Sequence, residues 1–194
     1  GVPFFRSLGE PESLLAFRAV HSEAHVPGRH LNALLSAEDA IGAAVDEVAI
    51  GNHRRAAFLS YSGPVALPLN REVKDGSPLN FCPHNLREGF HALYALARFR
   101  DDREARELAE KSIAAVGELW DADDGWDLPA LEQLGLVYQD SRGFIQGEAR
   151  MLGPLVKYYR ATGYAPALEL ALVLKEKAVN EFYLSDGSFA QERF

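Results

Sequence analysis

One unit returns three times along this chain, and that return constrains its fold more than any other feature. A polar, loop-derived entry is followed by an apolar helix at Gly28-Arg29-His30-Leu31, at Arg87-Glu88-Gly89-Phe90 and at Gly147-Glu148-Ala149-Arg150, at intervals of roughly sixty residues. Helical hairpins spaced this way predict a mainly α fold in which successive hairpins stack or close into a ring. Each apolar helix follows a segment holding His, Arg, Asp or Glu, so the polar side chains are expected to gather at one end of the helical layer.

The periodicity predicts a helix over 83–99, with Leu86, Phe90, Leu93 and Ala97 on one face. Its partner starts after an Asp101-Asp102 cap and turns Ala105, Ala109, Ile113 and Val116 inward, with Arg103, Glu107 and Lys111 outside. A further apolar helix carries Phe144, Leu152, Leu155, Val156 and Tyr159 and stops at Thr162-Gly163. An outer helix follows over 166–182 and ends at Ser185-Asp186-Gly187. The first unit reads as an inner helix over 27–47 with a short helix over 13–20 before it. Residues 56–79 mix Phe58, Tyr61, Val65 and Leu67 with turn residues and predict short strands and a hairpin. Two more long segments, 121–140 and 183–194, read as decoration over one end of the layer.

With 47% hydrophobic and 25% charged residues, the 194-residue chain reads as one domain, 1–194, able to bury a core without cross-links. A single cysteine, Cys82, excludes an intramolecular disulfide and a four-cysteine zinc site. Net charge of −8, with Arg and Asp/Glu interleaved as in Arg98-Phe99-Arg100-Asp101-Asp102-Arg103, argues against nucleic acid as a partner. No apolar run reaches the roughly 20 residues of a membrane-spanning helix, so no membrane partner is expected, and the reading leans to a cytoplasmic rather than a periplasmic home.

The words of the repeat resemble a known family. Inner helix with a polar start, outer amphipathic helix, decorated loop and repetition is similar to the six-hairpin (α/α)6 toroid of many glycosidases, some polysaccharide lyases and sugar epimerases. His25-Val26-Pro27-Gly28-Arg29-His30-Leu31 resembles the His-x-x-Gly-Arg start of an inner helix in bacterial enzymes related to the β-L-arabinofuranosidases. Leu119-Trp120-Asp121-Ala122-Asp123-Asp124-Gly125-Trp126 and Tyr158-Tyr159-Arg160-Ala161-Thr162-Gly163 are similarly phrased. The resemblance implies a carbohydrate substrate and a glycosidase, lyase or epimerase activity. It does not carry over that family's zinc-held cysteine nucleophile, because one cysteine cannot build the cluster. A full toroid takes six inner helices, and this chain supplies about three, so about half a ring is expected, with self-association or a missing C-terminal half completing it.

Glycoside hydrolysis needs two carboxyl groups flanking the scissile bond. Glu88 and Glu148 stand at equivalent points of two units, and Asp121, Asp123, Asp124 and Asp127 lie in the loop between them. Glu148, Asp124 and Glu88 are therefore the catalytic candidates, and each has the plainer reading of an ion pair or a solvated turn. Arg29, Arg87, Arg142 and Arg150 recur near helix starts, where a guanidinium fork suits the carboxylate of an acidic sugar or, alternatively, pairs within the chain. His25, His84 and Trp126 complete the expected substrate-binding set, and His30 and His91 are further candidates for substrate binding or proton transfer. His21 and His25 flank Glu23 in an order unlike a zinc-protease motif, and Cys82 with His84 lacks a second ligand pair, so neither a metal nor a cofactor is expected. The reading this supports is a glycoside hydrolase using acid/base carboxylates. Its rivals are a lyase or epimerase, and a non-catalytic helical-repeat scaffold.

Overall fold

The computed structural model describes residues 4–6, 14–16, 22–71, 78–139 and 143–190. Two short strands, β1 (Phe4–Arg6) and β2 (Leu14–Ala16), open the chain as an antiparallel pair. They correct the helix expected over 13–20, whose other residues lie outside the described ones. A short apolar run has the same hydrophobic pattern in a strand and in a buried helix, so periodicity alone does not choose between them.

Helix α1 (Val26–Ile41) carries Pro27 in its first turn, where a missing N–H leaves nothing unpaired, and ends at Gly42, whose left-handed φ of 68° turns its N–H onto the Glu38 carbonyl at 2.8 Å. The inner helix expected to reach residue 47 thus stops at this cap. Helix α2 (Glu47–Ser60) restarts on Asp46, whose carboxylate accepts from the Val48 N–H. It absorbs Ala56–Leu59, which the sequence pattern places among strands. Tyr61, Val65 and Leu67 lie in turns and bends instead of strands, and the expected strand pair forms further on: β3 (Leu69–Arg71) and β4 (Leu79–Phe81) pair antiparallel, with residues 72–77 between them outside the described residues.

A 3-10 turn at Pro83–Asn85 leads into α3 (Leu86–Phe99), and α4 (Arg103–Leu119) starts on the expected Asp102 cap, which accepts from the Ala105 N–H at 3.0 Å. A tight hairpin of β5 (Trp120–Asp121) and β6 (Gly125–Trp126) follows, then α5 (Leu128–Gln133) and β7 (Leu136–Tyr138), which pairs with β4 in parallel. Two 3-10 turns, Phe144–Gln146 and Glu148–Met151, precede α6 (Leu152–Thr162), which Gly163 closes in the left-handed conformation, and α7 (Ala165–Phe182) follows. Beyond it a single bridge joins Tyr183 to Phe189.

The described part of the molecule is mainly helical, and none of its helices is long and apolar enough to cross a membrane. Helix α3 lies between α1 and α6 and buries Phe90, Leu93 and Leu96 completely or nearly so, each contributing roughly 1.5–3 kcal/mol of apolar burial. Helix α4 packs on α3, α7 on α6, and the two on each other, while α2 packs on α1 and α3. Ala105, Ala109, Ile113 and Val116 face inward from α4 as expected.

Polar contacts fix the directions. His25 at the start of α1 meets Asn85 at the start of α3, with 3.2 Å between Nδ1 and Oδ1. At the other end, Arg100 beyond α3 donates to Glu38 in the last turn of α1 at 2.9 Å. The two helices therefore run parallel, their starts side by side. They also touch backbone to backbone, since a Cβ on Gly28 would fall 1.6 Å from the Glu88 carbonyl oxygen.

Candidate active site at the joined helix starts

The start of α1 is held in place by the β3–β4 hairpin. Asn70 accepts through Oδ1 from the N–H groups of Glu23 and Ala24 at 3.0 and 3.1 Å, and the buried Glu23 carboxylate accepts from both the backbone N–H and the guanidinium of Arg71. The sequence alone assigns no such role to Glu23, Asn70 and Arg71. Their only signal is polarity inside otherwise apolar or turn-like stretches, which does not say what they face.

On this base, His25, Arg29, Arg87 and Arg150 converge on one carboxylate, with His84 beside His25 and Arg150. Glu88 is 1% exposed and accepts through Oε1 from Arg29 Nε at 3.3 Å and Arg150 Nη2 at 3.0 Å, and through Oε2 from Arg87 Nε at 2.7 Å. Arg87 closes a second hydrogen bond onto Oε1, giving a two-pronged fork, and His25 Nε2 stands 3.6 Å from the same oxygen. The His25 and His84 rings stack with planes 1° apart, and Arg150 lies against His84 while donating to its carbonyl at 3.1 Å. Burial pushes the Glu88 carboxyl upward, but the Arg87 hydrogen bonds with the charges of His25, Arg150 and Arg87 outweigh it and hold the group down at about 2. It is an anion at any ordinary pH.

His91, one turn further along α3, has the opposite character. Burial drives its pKa down to about 4, Glu88 opposing only in part while Lys157, Arg87 and Arg150 add to the fall, so the imidazole is neutral near pH 7.

Glu148 sits in a different environment. It is 5% exposed, and its Oε1 accepts the indole N–H of Trp126. It lines a hollow of about 300 Å³ together with Trp120, Trp126, Tyr138, Phe144, Lys177 and the exposed Asp124. An adjoining hollow of about 410 Å³ shares Trp120, Asp124 and Trp126 and continues along Asp121 and Asp127. The hairpin itself is tied by Asp121, which accepts from the N–H groups of Asp123 and Asp124, while Asp127 caps α5. Trp126, expected among the substrate-binding residues, lines both hollows while its ring packs edge-on against Phe81 and its indole N–H reaches Glu148. Lys177, on α7, reaches the same hollow with Nζ 5.5 Å from the Phe144 ring centre.

The expected residues thus fall into two adjoining groups joined by the 3-10 turn Glu148–Met151: His25, Arg29, His84, Glu88 and Arg150 in one, Asp124, Trp126 and Glu148 in the other. Arg142 lies outside the described residues, and His30 packs edge-on against His53. Among the described residues there is no group of three or more His, Cys, Asp or Glu side chains placed to hold a metal ion. No family model matches the chain, and no curated protein or solved structure matches it significantly.

Proposed function

We propose that the chain is part of a carbohydrate-active enzyme of the (α/α)6-toroid type, acting as a glycoside hydrolase. The toroid reading is supported by the alternation of α1, α3 and α6 with α2, α4 and α7 and by the parallel, joined starts of α1 and α3. The observation that carries the activity is Glu148: a buried carboxylate, oriented by an indole N–H, at the wall of an aromatic hollow whose rim holds a solvated second carboxylate, Asp124. Two carboxyl groups in contrasting surroundings are what acid/base glycoside hydrolysis requires. In this reading Glu148 is the proton donor and Asp124 the charged partner. Glu88, ionised near pH 7 under three guanidinium groups, anchors the neighbouring arginines in this reading.

A second reading follows from His91. A neutral imidazole beside guanidinium groups that can neutralise a sugar carboxylate suits proton abstraction from the adjacent carbon, the chemistry of a lyase or an epimerase.

Turnover of an oligosaccharide panel by wild type, Glu148→Gln and Asp124→Asn separates the readings. Hydrolysis by wild type, lost in Glu148→Gln while binding persists, supports the hydrolase. Ultraviolet absorbance from a new double bond, lost in a His91→Gln variant, transfers the assignment to a lyase. Absence of any chemistry on glycans that bind leaves a scaffold.

A further inference from the structure

The charge balance at the joined helix starts is inverted relative to the rest of the described surface. Elsewhere among the described residues no ion pair puts two arginines on one carboxylate: Arg71, Arg103 and Arg106 each face one carboxylate, and Arg54 and Arg100 each face two. At Glu88 one carboxylate faces Arg29, Arg87 and Arg150, leaving two positive charges uncompensated in a chain whose net charge is −8. Among the described residues these three arginines make no other ion pair.

The three cations are graded in exposure. Arg150 is 14% exposed, Arg87 34% and Arg29 59%. Arg29 commits only its Nε to Glu88, so both of its Nη groups have no partner among the described residues. The starts of α1 and α3, whose first residues carry no side-chain cap, add the positive end of two helix dipoles beside the guanidinium groups. Burial, with the like charges of Arg87 and Arg29, lowers the pKa of Arg150 despite Glu88, as expected where cations outnumber their counter-ions.

We infer that Arg29, Arg87 and Arg150, held in register by Glu88, form an anion-recognition site that takes the carboxylate of an acidic sugar. The sugar class follows from position, and so rests on the reading of the Glu148 hollow as the carbohydrate site. Arg150 and Glu148 lie two residues apart on one 3-10 turn, which joins the arginine cluster to the hollow that Glu148 lines. Planar guanidinium forks match a carboxylate in a way that an ammonium would not.

Titration calorimetry of the full chain with a uronic-acid disaccharide, the matching neutral disaccharide and inorganic phosphate tests this. The uronic acid is expected to bind about tenfold or more tighter than its neutral counterpart, and Arg29→Gln and Arg87→Gln are each expected to remove most of that preference. Arg29→Gln, half-exposed, is the variant expected to leave the thermal unfolding midpoint unchanged. Equal binding of acidic and neutral sugars, or undiminished preference in both variants, overturns the inference, as does phosphate competing with the same affinity as the uronic acid. Acidic preference without turnover would sink the hydrolase reading and leave this site standing. Turnover of neutral glycans with no acidic preference would do the reverse.

Discussion

Glu88 and Glu148 occupy equivalent points of two units in the sequence, carry the same side chain and are both buried, yet they meet different neighbours. Glu88 is wrapped by three guanidinium groups and an imidazole, whereas Glu148 receives the neutral indole N–H of Trp126. Each arginine lowers the energy of the ionised form and makes Glu88 a fixed charge. An indole orients a carboxyl group and adds no formal charge. The pair teaches that repeat position fixes where a carboxylate stands in a helical layer, and that the neighbours supplied by other units decide what it can do.

The sharpest way to break this contrast is to neutralise each carboxylate in turn. Glu88→Gln leaves three guanidinium groups without a counter-ion and is expected to destabilise the fold by about 3 kcal/mol, read from urea midpoints. The sign of its pH dependence is fixed by the depressed folded pKa. The stabilisation is fully present above the ordinary value of 4.5 and is lost as pH falls toward about 2, so the gap between wild type and variant should close over that range. A gap that stays constant down to about pH 3 would mean that Glu88 is not the anchor.

Glu148→Gln should behave in the reverse manner, lowering turnover by about 100-fold, equivalent to about 2.7 kcal/mol, with little change in unfolding. If it destabilises as much as the Glu88 variant, the two carboxylates share a structural role and the contrast fails. Trp126→Phe keeps the ring against Phe81 and removes only the N–H donor. It is expected to reduce stability by about 1 kcal/mol and to lower turnover in the same direction as Glu148→Gln. The smallest effect belongs to the exposed pair Arg103–Glu107 on α4, 2.8 Å apart, which supplies the baseline. Arg103→Ala should change the unfolding free energy by no more than about 0.5 kcal/mol.

Most of the helical layer is legible in the amino-acid pattern. Helices α3, α4, α6 and α7 carry apolar residues at helical spacing and close on recognisable signals, Asp102 at one start and Gly163 at one end. Helix α2 is not, because Asn52, His53, Arg54 and Arg55 interrupt its apolar face and the turn residues after it suggest strands. The parallel pairing of β4 with β7 is hidden for a different reason: its register joins Leu79 to Leu136, and nothing local specifies a partner so far along the chain. The site is legible as an inventory and not as an arrangement. Arg29, Glu88 and Arg150 all stand out near helix starts, but the contacts that put two arginines on one glutamate span 59 and 62 residues. Trp126 stands out as an aromatic residue, but the indole N–H that it gives to Glu148, 22 residues further on, is not readable from composition.

The contact between Gly28 and the Glu88 carbonyl separates two jobs that many binding sites combine. Backbone touching backbone sets the spacing of α1 and α3 ahead of any charged side chain, and Arg29, the next residue, simply inherits the reach that spacing allows. The frame and its charges are in this sense modular. Exchange of the half-exposed Arg29 for a neutral or acidic residue should retune which ligands are welcomed while the helices keep their distance, whereas a single methyl group at Gly28 would move the whole gallery of side chains together.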